Sequence, residues 1–174
     1  MAGHAKQCVD KYLELTGLKV AQLRDVTTPC MDDHQLAPED TTTEGALTKN
    51  AARIVLKCLW LARITRPDLL WTVNNLARQV SKWSVACDKR LHKLISYIHY
   101  SKKFSLYAYV GDEAKDIRLA LYCDASFAAD LKDSKSTSGT YLCLVGPRTF
   151  CPVTWFCKKQ GAVSHSSAEA EIIS

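Results

Sequence analysis

Near Gly111 the hydrophobic pattern of this chain changes its period once, from about 3.6 residues to 2. Upstream, apolar residues recur three and four apart. Downstream they alternate. A chain patterned in this way builds helices first and strands afterwards, which predicts the α/β class with helices gathered in one region and an antiparallel sheet in the next.

The helical region has clear punctuation. Val9, Tyr12, Leu13 and Thr16 lie at helical spacing, and Gly17 falls where a left-handed cap ends a helix. Thr48 is placed to cap a second helix whose apolar face is Ile54, Val55, Cys58, Leu59 and Ala62, and which ends near Arg66-Pro67. Pro67 opens a third, carrying Leu70, Val73, Leu76, Ala77 and Val80. After Trp83-Ser84 a fourth turns Leu91, Leu94, Ile95 and Ile98 inward.

Beyond Gly111 three strands are expected, around Ile117–Leu121, Tyr141–Val145 and Val153–Cys157, and His165 reads as a strand residue. Ser166-Ser167-Ala168-Glu169 then fits the S-x-x-E box that starts a helix. A three-stranded antiparallel meander leading into one or two helical turns reads as the first half of a longer α/β domain, so the chain is expected to be a fragment. The expected organisation is an N-terminal helix over 1–22, an acidic connector over 23–47, a basic helical region over 48–112 and the half-domain over 113–174.

Composition narrows the function classes. Of 174 residues 47% are hydrophobic and 24% charged, enough apolar surface for a core and too little charge for a disordered chain. The longest stretch free of Asp, Glu, Lys and Arg is the twelve residues Ser136–Pro147, too short for a membrane span, so no membrane partner is expected. No apolar run follows the N-terminus, which sets the expectation of a non-secreted chain in a reducing compartment. Its eight cysteines include no C-x-x-C pair and read as buried free thiols rather than a zinc site.

Charge is unevenly spread: net −3 over residues 1–50, +8 over 51–112 and 0 over 113–174. The basic excess has two readings, a polyanion-binding surface or a solvated helix face. On the first reading Lys82, Lys89, Arg90, Lys93, Lys102 and Lys103 contact nucleic acid.

Two carboxylates stand out in the strand region. Asp124 ends an apolar strand, where it is either a turn former or a placed carboxylate. Glu169 is either a capping residue or a second ligand at the start of the helix that packs over that strand. Together they could converge on Mg²⁺, although two-metal chemistry needs more carboxylates than two. The five histidines are scattered at no metal-binding spacing.

Four blocks follow one another here: Cys123-Asp124-Ala125-Ser126-Phe127-Ala128-Ala129-Asp130, Lys135-Ser136-Thr137-Ser138-Gly139, Trp155-Phe156-Cys157-Lys158-Lys159-Gln160 and Ser166-Ser167-Ala168-Glu169-Ala170-Glu171. In order and spacing they resemble the ribonuclease H region of copia-type LTR-retrotransposon Pol polyproteins. Upstream, Thr27-Thr28-Pro29, the run Leu61-Ala62-Arg63-Ile64-Thr65-Arg66-Pro67-Asp68-Leu69 and Val73-Asn74-Asn75-Leu76-Ala77-Arg78 are similar to the thumb and connection of the same family's reverse transcriptase. The chain departs from the family at Phe127, usually Trp, and at Ala129, commonly Gly.

The resemblance implies a truncated ribonuclease H-like fold whose parent cleaves RNA in RNA–DNA hybrids by two-metal hydrolysis. It implies Asp124 and Glu169 as catalytic metal ligands and Mg²⁺ as the cofactor of the complete domain. The family's further Asp ligands, in a block like D-N-x-x-A, lie past Ser174, so this chain alone is expected to be inactive. Asp32-Asp33, preceded by Cys30-Met31, does not match the polymerase aspartate pair, so no polymerase centre is expected. The implied partners are an RNA–DNA hybrid or other nucleic acid, and a second copy through an unpaired strand edge. The implied location is a cytoplasmic virus-like particle or the nucleus. The alternatives are a non-catalytic nucleic-acid-binding relic and a host protein that reuses the fragment for protein interaction.

Overall fold

A computed structural model describes residues 2–128 and 134–174. The chain forms two compact units, the first reaching Ser105 and the second running from Leu106 to Ser174. Among the described residues the fold is mixed α/β, with five α-helices and a four-stranded antiparallel sheet.

The first unit is helical: α1 (Ala2–Thr16), α2 (Ala51–Ile64), α3 (Leu70–Ala77) and α4 (Val85–Tyr100). Its core is made by the apolar faces the periodicity marks: Cys8, Val9 and Tyr12 from α1, Ile54, Val55, Cys58 and Leu61 from α2, Val73 and Leu76 from α3, and Leu91, Leu94, Ile95 and Ile98 from α4 are all buried. Gly17 takes φ +70°, and its N–H closes α1 on the Leu13 carbonyl at 2.9 Å. The starts and stops differ in places from the expected ones. Asn50, not Thr48, precedes α2, because the Thr48 hydroxyl is spent on the Gly45 carbonyl at 2.6 Å. Pro67 starts a 3₁₀ turn, Pro67–Leu69, that leads into α3, and α3 ends at Ala77 rather than reaching Val80.

Arg66 joins the α2–α3 corner to the end of α4. Its side chain is almost fully buried, and it pairs with Asp68 at 2.7 Å. It also donates to the Ser101 carbonyl at 3.1 Å and the Ser101 hydroxyl at 2.7 Å, while its guanidinium lies 5.6 Å from the Tyr97 ring centre and 5.5 Å from that of Phe104. A cation at the C-terminal end of a helix complements the helix dipole and satisfies carbonyls that have no partner within the helix.

The second unit is the sheet. β1 (Tyr109–Val110), β2 (Arg118–Ser126), β3 (Thr137–Gly146) and β4 (Thr149–Lys159) run in the order β1-β4-β3-β2. The β2–β3–β4 meander matches the expected three strands, and the fourth, β1, corrects that count. Tyr109 and Val110 pair with Phe150 and Thr149, but two residues are too few to leave an alternating pattern in the sequence. Pro152 sits in β4 opposite Cys143, where the register shifts at a bulge, so its missing N–H breaks no regular ladder. Tyr141 and Trp155, partners across β3 and β4, stack with ring centres 5.8 Å apart. A short α5 (Ser167–Ile173) closes the unit. His165 lies in the bend before α5 and not in a strand, since the ladder ends at Lys159.

None of the eight cysteines forms a disulfide, as expected; four are buried, but Cys123 on β2 is exposed. No described helix is long and apolar enough to cross a membrane.

Two outcomes follow. Arg66→Ala leaves the Ser101 carbonyl and Asp68 without their cation and is expected to lower the stability of the helical unit by roughly 3 kcal/mol, the scale of breaking a buried pair. Urea unfolding of the variant checks this, and Arg66→Lys should recover only part of the loss. The free edge of β2 has Leu119 at 66% and Leu121 at 61% exposure, which favours strand addition by a second copy. Sedimentation at rising concentration should show self-association that Leu121→Lys reduces.

Candidate functional site

The expected site residues fall in two places, one in each unit. In the sheet unit, Asp124 lies opposite Gly139 near the end of β2. It is exposed, and among the described residues its carboxylate has no hydrogen-bonding partner. α5 comes back toward this strand end, and its orientation is set by Gln160, the last residue of the third sequence block. The buried Gln160 amide donates to the Ser138 hydroxyl at 3.0 Å and to the Ala170 carbonyl at 2.9 Å, and its oxygen accepts from the Ser164 hydroxyl at 3.0 Å. One satisfied amide thus links β3, the loop after β4 and α5.

The two glutamates of α5 do different things. Ser166 caps the helix, its hydroxyl accepting the Glu169 N–H at 3.1 Å. The Glu169 carboxylate reaches back to the His165 N–H at 2.7 Å, one residue before the cap position that the box predicts. Glu171, which the sequence reading left without a role, accepts the Ala125 N–H at 3.3 Å, beside Asp124. Ser174 donates its hydroxyl to the Asp124 carbonyl at 2.9 Å. The described contacts therefore bring Glu171 to the Asp124 strand end and engage Glu169 in capping. Two residues along a short helix move a side chain about 200° around the axis, so the two glutamates face different surroundings, a separation the sequence shows without saying which of them meets Asp124.

This donor set does not fit a complete divalent-cation site. Among the described residues no three His, Cys, Asp or Glu side chains gather as a metal would require. Ala129 and Asp130, part of the first sequence block, lie outside the described residues.

In the helical unit the predicted basic residues divide into two groups. Lys89 on α4 pairs with Asp40 at 2.5 Å, and Arg90 pairs with Asp33. Hydrogen bonding from Lys89 lowers the Asp40 carboxyl from its ordinary value. Lys82, Lys93, Lys102 and Lys103 form no ion pair with a described residue, and Lys82, Lys102 and Lys103 are exposed. The acidic connector is thus laid against the basic helix. Asp88 fixes its far end, accepting the Ala46 N–H at 2.6 Å, the Leu47 N–H at 3.3 Å and the Trp83 indole N–H at 2.6 Å. Gly45 passes so close that an added Cβ would lie 2.5 Å from the Ser84 carbonyl and 2.8 Å from the Asp88 carboxylate. Elsewhere in the unit, the Tyr12 hydroxyl meets His92 Nδ1 at 2.9 Å, and burial together with the Asp88 charge pushes the phenol up to about 12.

Known proteins resemble this chain over most of its length. It is 28% identical over 85% of its residues to the Retrovirus-related Pol polyprotein from transposon RE1 of Arabidopsis thaliana, of which it spans 10%. It is 30% identical over 69% of its residues to the Putative transposon Ty5-1 protein of Saccharomyces cerevisiae, spanning 37% of that protein. It is also 33% identical over 65% of its residues to the Secreted RxLR effector protein 161 of Plasmopara viticola, spanning 75% of it. No family profile matches the chain, and no solved structure does. Several of the proteins it resembles are retrotransposon Pol polyproteins, of which it spans a small part.

The division of labour between the two glutamates is open to test. Glu169→Ala should cost about 1 kcal/mol through loss of the carboxylate bond to the His165 N–H, whereas Glu171→Ala leaves that bond intact. Urea unfolding followed by circular dichroism compares them.

Proposed function

We propose that this chain supplies its parent polyprotein with the thumb or connection helices of a reverse transcriptase and the opening strands of a ribonuclease H-like domain, and that it holds nucleic acid through α4 and the residues just before and after it. The observation that carries the reading is the β2–β3–β4 meander followed by α5. It sets Asp124 on a strand end, brings Glu171 beside it, and does so in a chain similar to retrotransposon Pol polyproteins.

On this reading Asp124 is a metal ligand of the complete domain, and Glu171 is better placed than Glu169 to be the second. Two carboxylates do not fix a pair of ions, so the 174-residue chain alone does not cleave RNA in a hybrid. The shortage of ligands among the described residues favours a second reading for the chain by itself, a non-catalytic nucleic-acid-binding module.

Nucleic-acid contact by Lys82, Lys93, Lys102 and Lys103 is electrostatic and almost blind to sequence. Titrating a labelled RNA–DNA hybrid at several salt concentrations should give an affinity that falls as salt rises, with a slope of about −0.9 per phosphate neutralised on a B-form duplex. Replacing Lys102 and Lys103 with Ala should flatten that slope, and an affinity indifferent to salt contradicts the reading. In the full parental polyprotein, Asp124→Asn and Glu171→Gln should abolish Mg²⁺-dependent cleavage, while Glu169→Gln retains it.

A further inference from the structure

The acidic connector is made in a way that its tethering role alone does not require. Thr43 to Leu47 are held to the start of α4 by hydrogen bonds: the Gly45 N–H to the Trp83 carbonyl at 3.2 Å, the Val85 N–H to the Thr43 carbonyl at 3.0 Å, and the Ala46 and Leu47 amides to the Asp88 carboxylate. Those contacts are enough to anchor the segment. The stretch before them does something else. Two 3₁₀ turns, Asp33–Gln35 and Pro38–Thr41, present Asp33 and Asp40 to adjacent cations of α4.

These are not loose surface pairs. The Asp40 side chain is 10% exposed and that of Arg90 is 12%, so each pair has one partner withdrawn from water and is screened less than an exposed pair. Asp40 also accepts the Ala37 N–H at 3.0 Å, which fixes its carboxylate before Lys89 arrives. Asp32 and Glu39, in the same segment, are exposed and pair with no described cation. Two of the four acids are therefore aimed and two are not.

We propose that residues 32–41 act as a built-in polyanion mimic: Asp33 and Asp40 occupy Arg90 and Lys89 in the positions phosphate groups would take, and nucleic acid must displace them to use the whole basic face of α4. This rests on the nucleic-acid reading of α4 given above. Displacement is reversible because the anchor at Gly45–Leu47 stays in place while the acids exchange for phosphates. The connector thereby weakens binding and reduces the number of phosphates the chain neutralises.

The test is a hybrid titration over a range of salt concentrations with the whole chain and four variants. Asp33→Asn with Asp40→Asn keeps the Ala37 bond, since an Asn oxygen still accepts, and removes the negative charges that answer both cations. Affinity should rise about fivefold or more at moderate salt, and the salt slope should steepen by up to about 2. Asp32→Asn with Glu39→Gln adds the same charge without freeing a cation and should change neither quantity comparably. Adding Lys89→Ala and Arg90→Ala to the first variant should erase its increase, while the same two changes in the unaltered chain should have little effect.

Equal increases from both neutralised variants would reduce the effect to net charge and overturn the proposal, as would no increase from the first. If the unaltered chain binds and Asp33→Asn with Asp40→Asn adds nothing, only this proposal fails. If no variant binds, the nucleic-acid reading fails with it. Thermal unfolding of each variant verifies that the helices persist.

Discussion

Helix α4 is held at both ends by charged side chains of opposite sign, and the helical unit is arranged around that constraint. At its start Asp88, in the first turn, takes the Ala46 and Leu47 amides and the Trp83 indole. At its end the buried Arg66 takes the Ser101 carbonyl and hydroxyl. An acid in the first turn and a cation at the last both agree with the helix dipole, so each contact is reinforced by the helix it holds. Between them Leu91, Leu94, Ile95 and Ile98 are fully buried, and α1, α3 and the connector pack around the helix. The segments before α2 and after it are fixed to the same helix, one through Asp88 and the other through Arg66.

That arrangement changes the meaning of the chain's charge. The +8 of residues 51–112 looks like an open basic surface when it is counted along the sequence. In the fold, Lys89 and Arg90 are answered by Asp40 and Asp33, and Arg66 is internal. Among the described residues Lys82, Lys93, Lys102 and Lys103 make no ion pair, and neither do Arg53, Lys57 and Arg63 of α2 or Arg78 after α3, so the cations around α4 are a smaller group than the count suggests. The opposite charges of the connector and the helical region were visible before folding, but which acid meets which cation depends on two turns that have no periodicity to reveal them.

Much of the architecture was legible because it rests on periodicity and punctuation. The apolar faces of α1 to α4 and the β2–β3–β4 meander follow from the spacing of Leu, Ile and Val, and Gly17 and Ser166 end and begin helices as their chemistry suggests. Local competition hid the rest. Thr48 bonds to Gly45 rather than capping α2, and β1 is two residues that pair only because Thr149 and Phe150 are there to meet them. At the strand end, Asp124 could be singled out as an acid among β-formers. The choice between Glu169 and Glu171 could not be made from the capping box, because the box explains Glu169 fully and says nothing of where the next turn of α5 points.

The central claim is that the connector is pinned to α4 by charge, and amide hydrogen exchange reads it directly. The Ala46 and Leu47 amides, which no helix or strand protects, should exchange with protection like that of the α4 interior, and Asp88→Asn should reduce that protection at these two positions first. Exchange of both amides at the rate of an unstructured peptide in the unaltered chain would contradict the account.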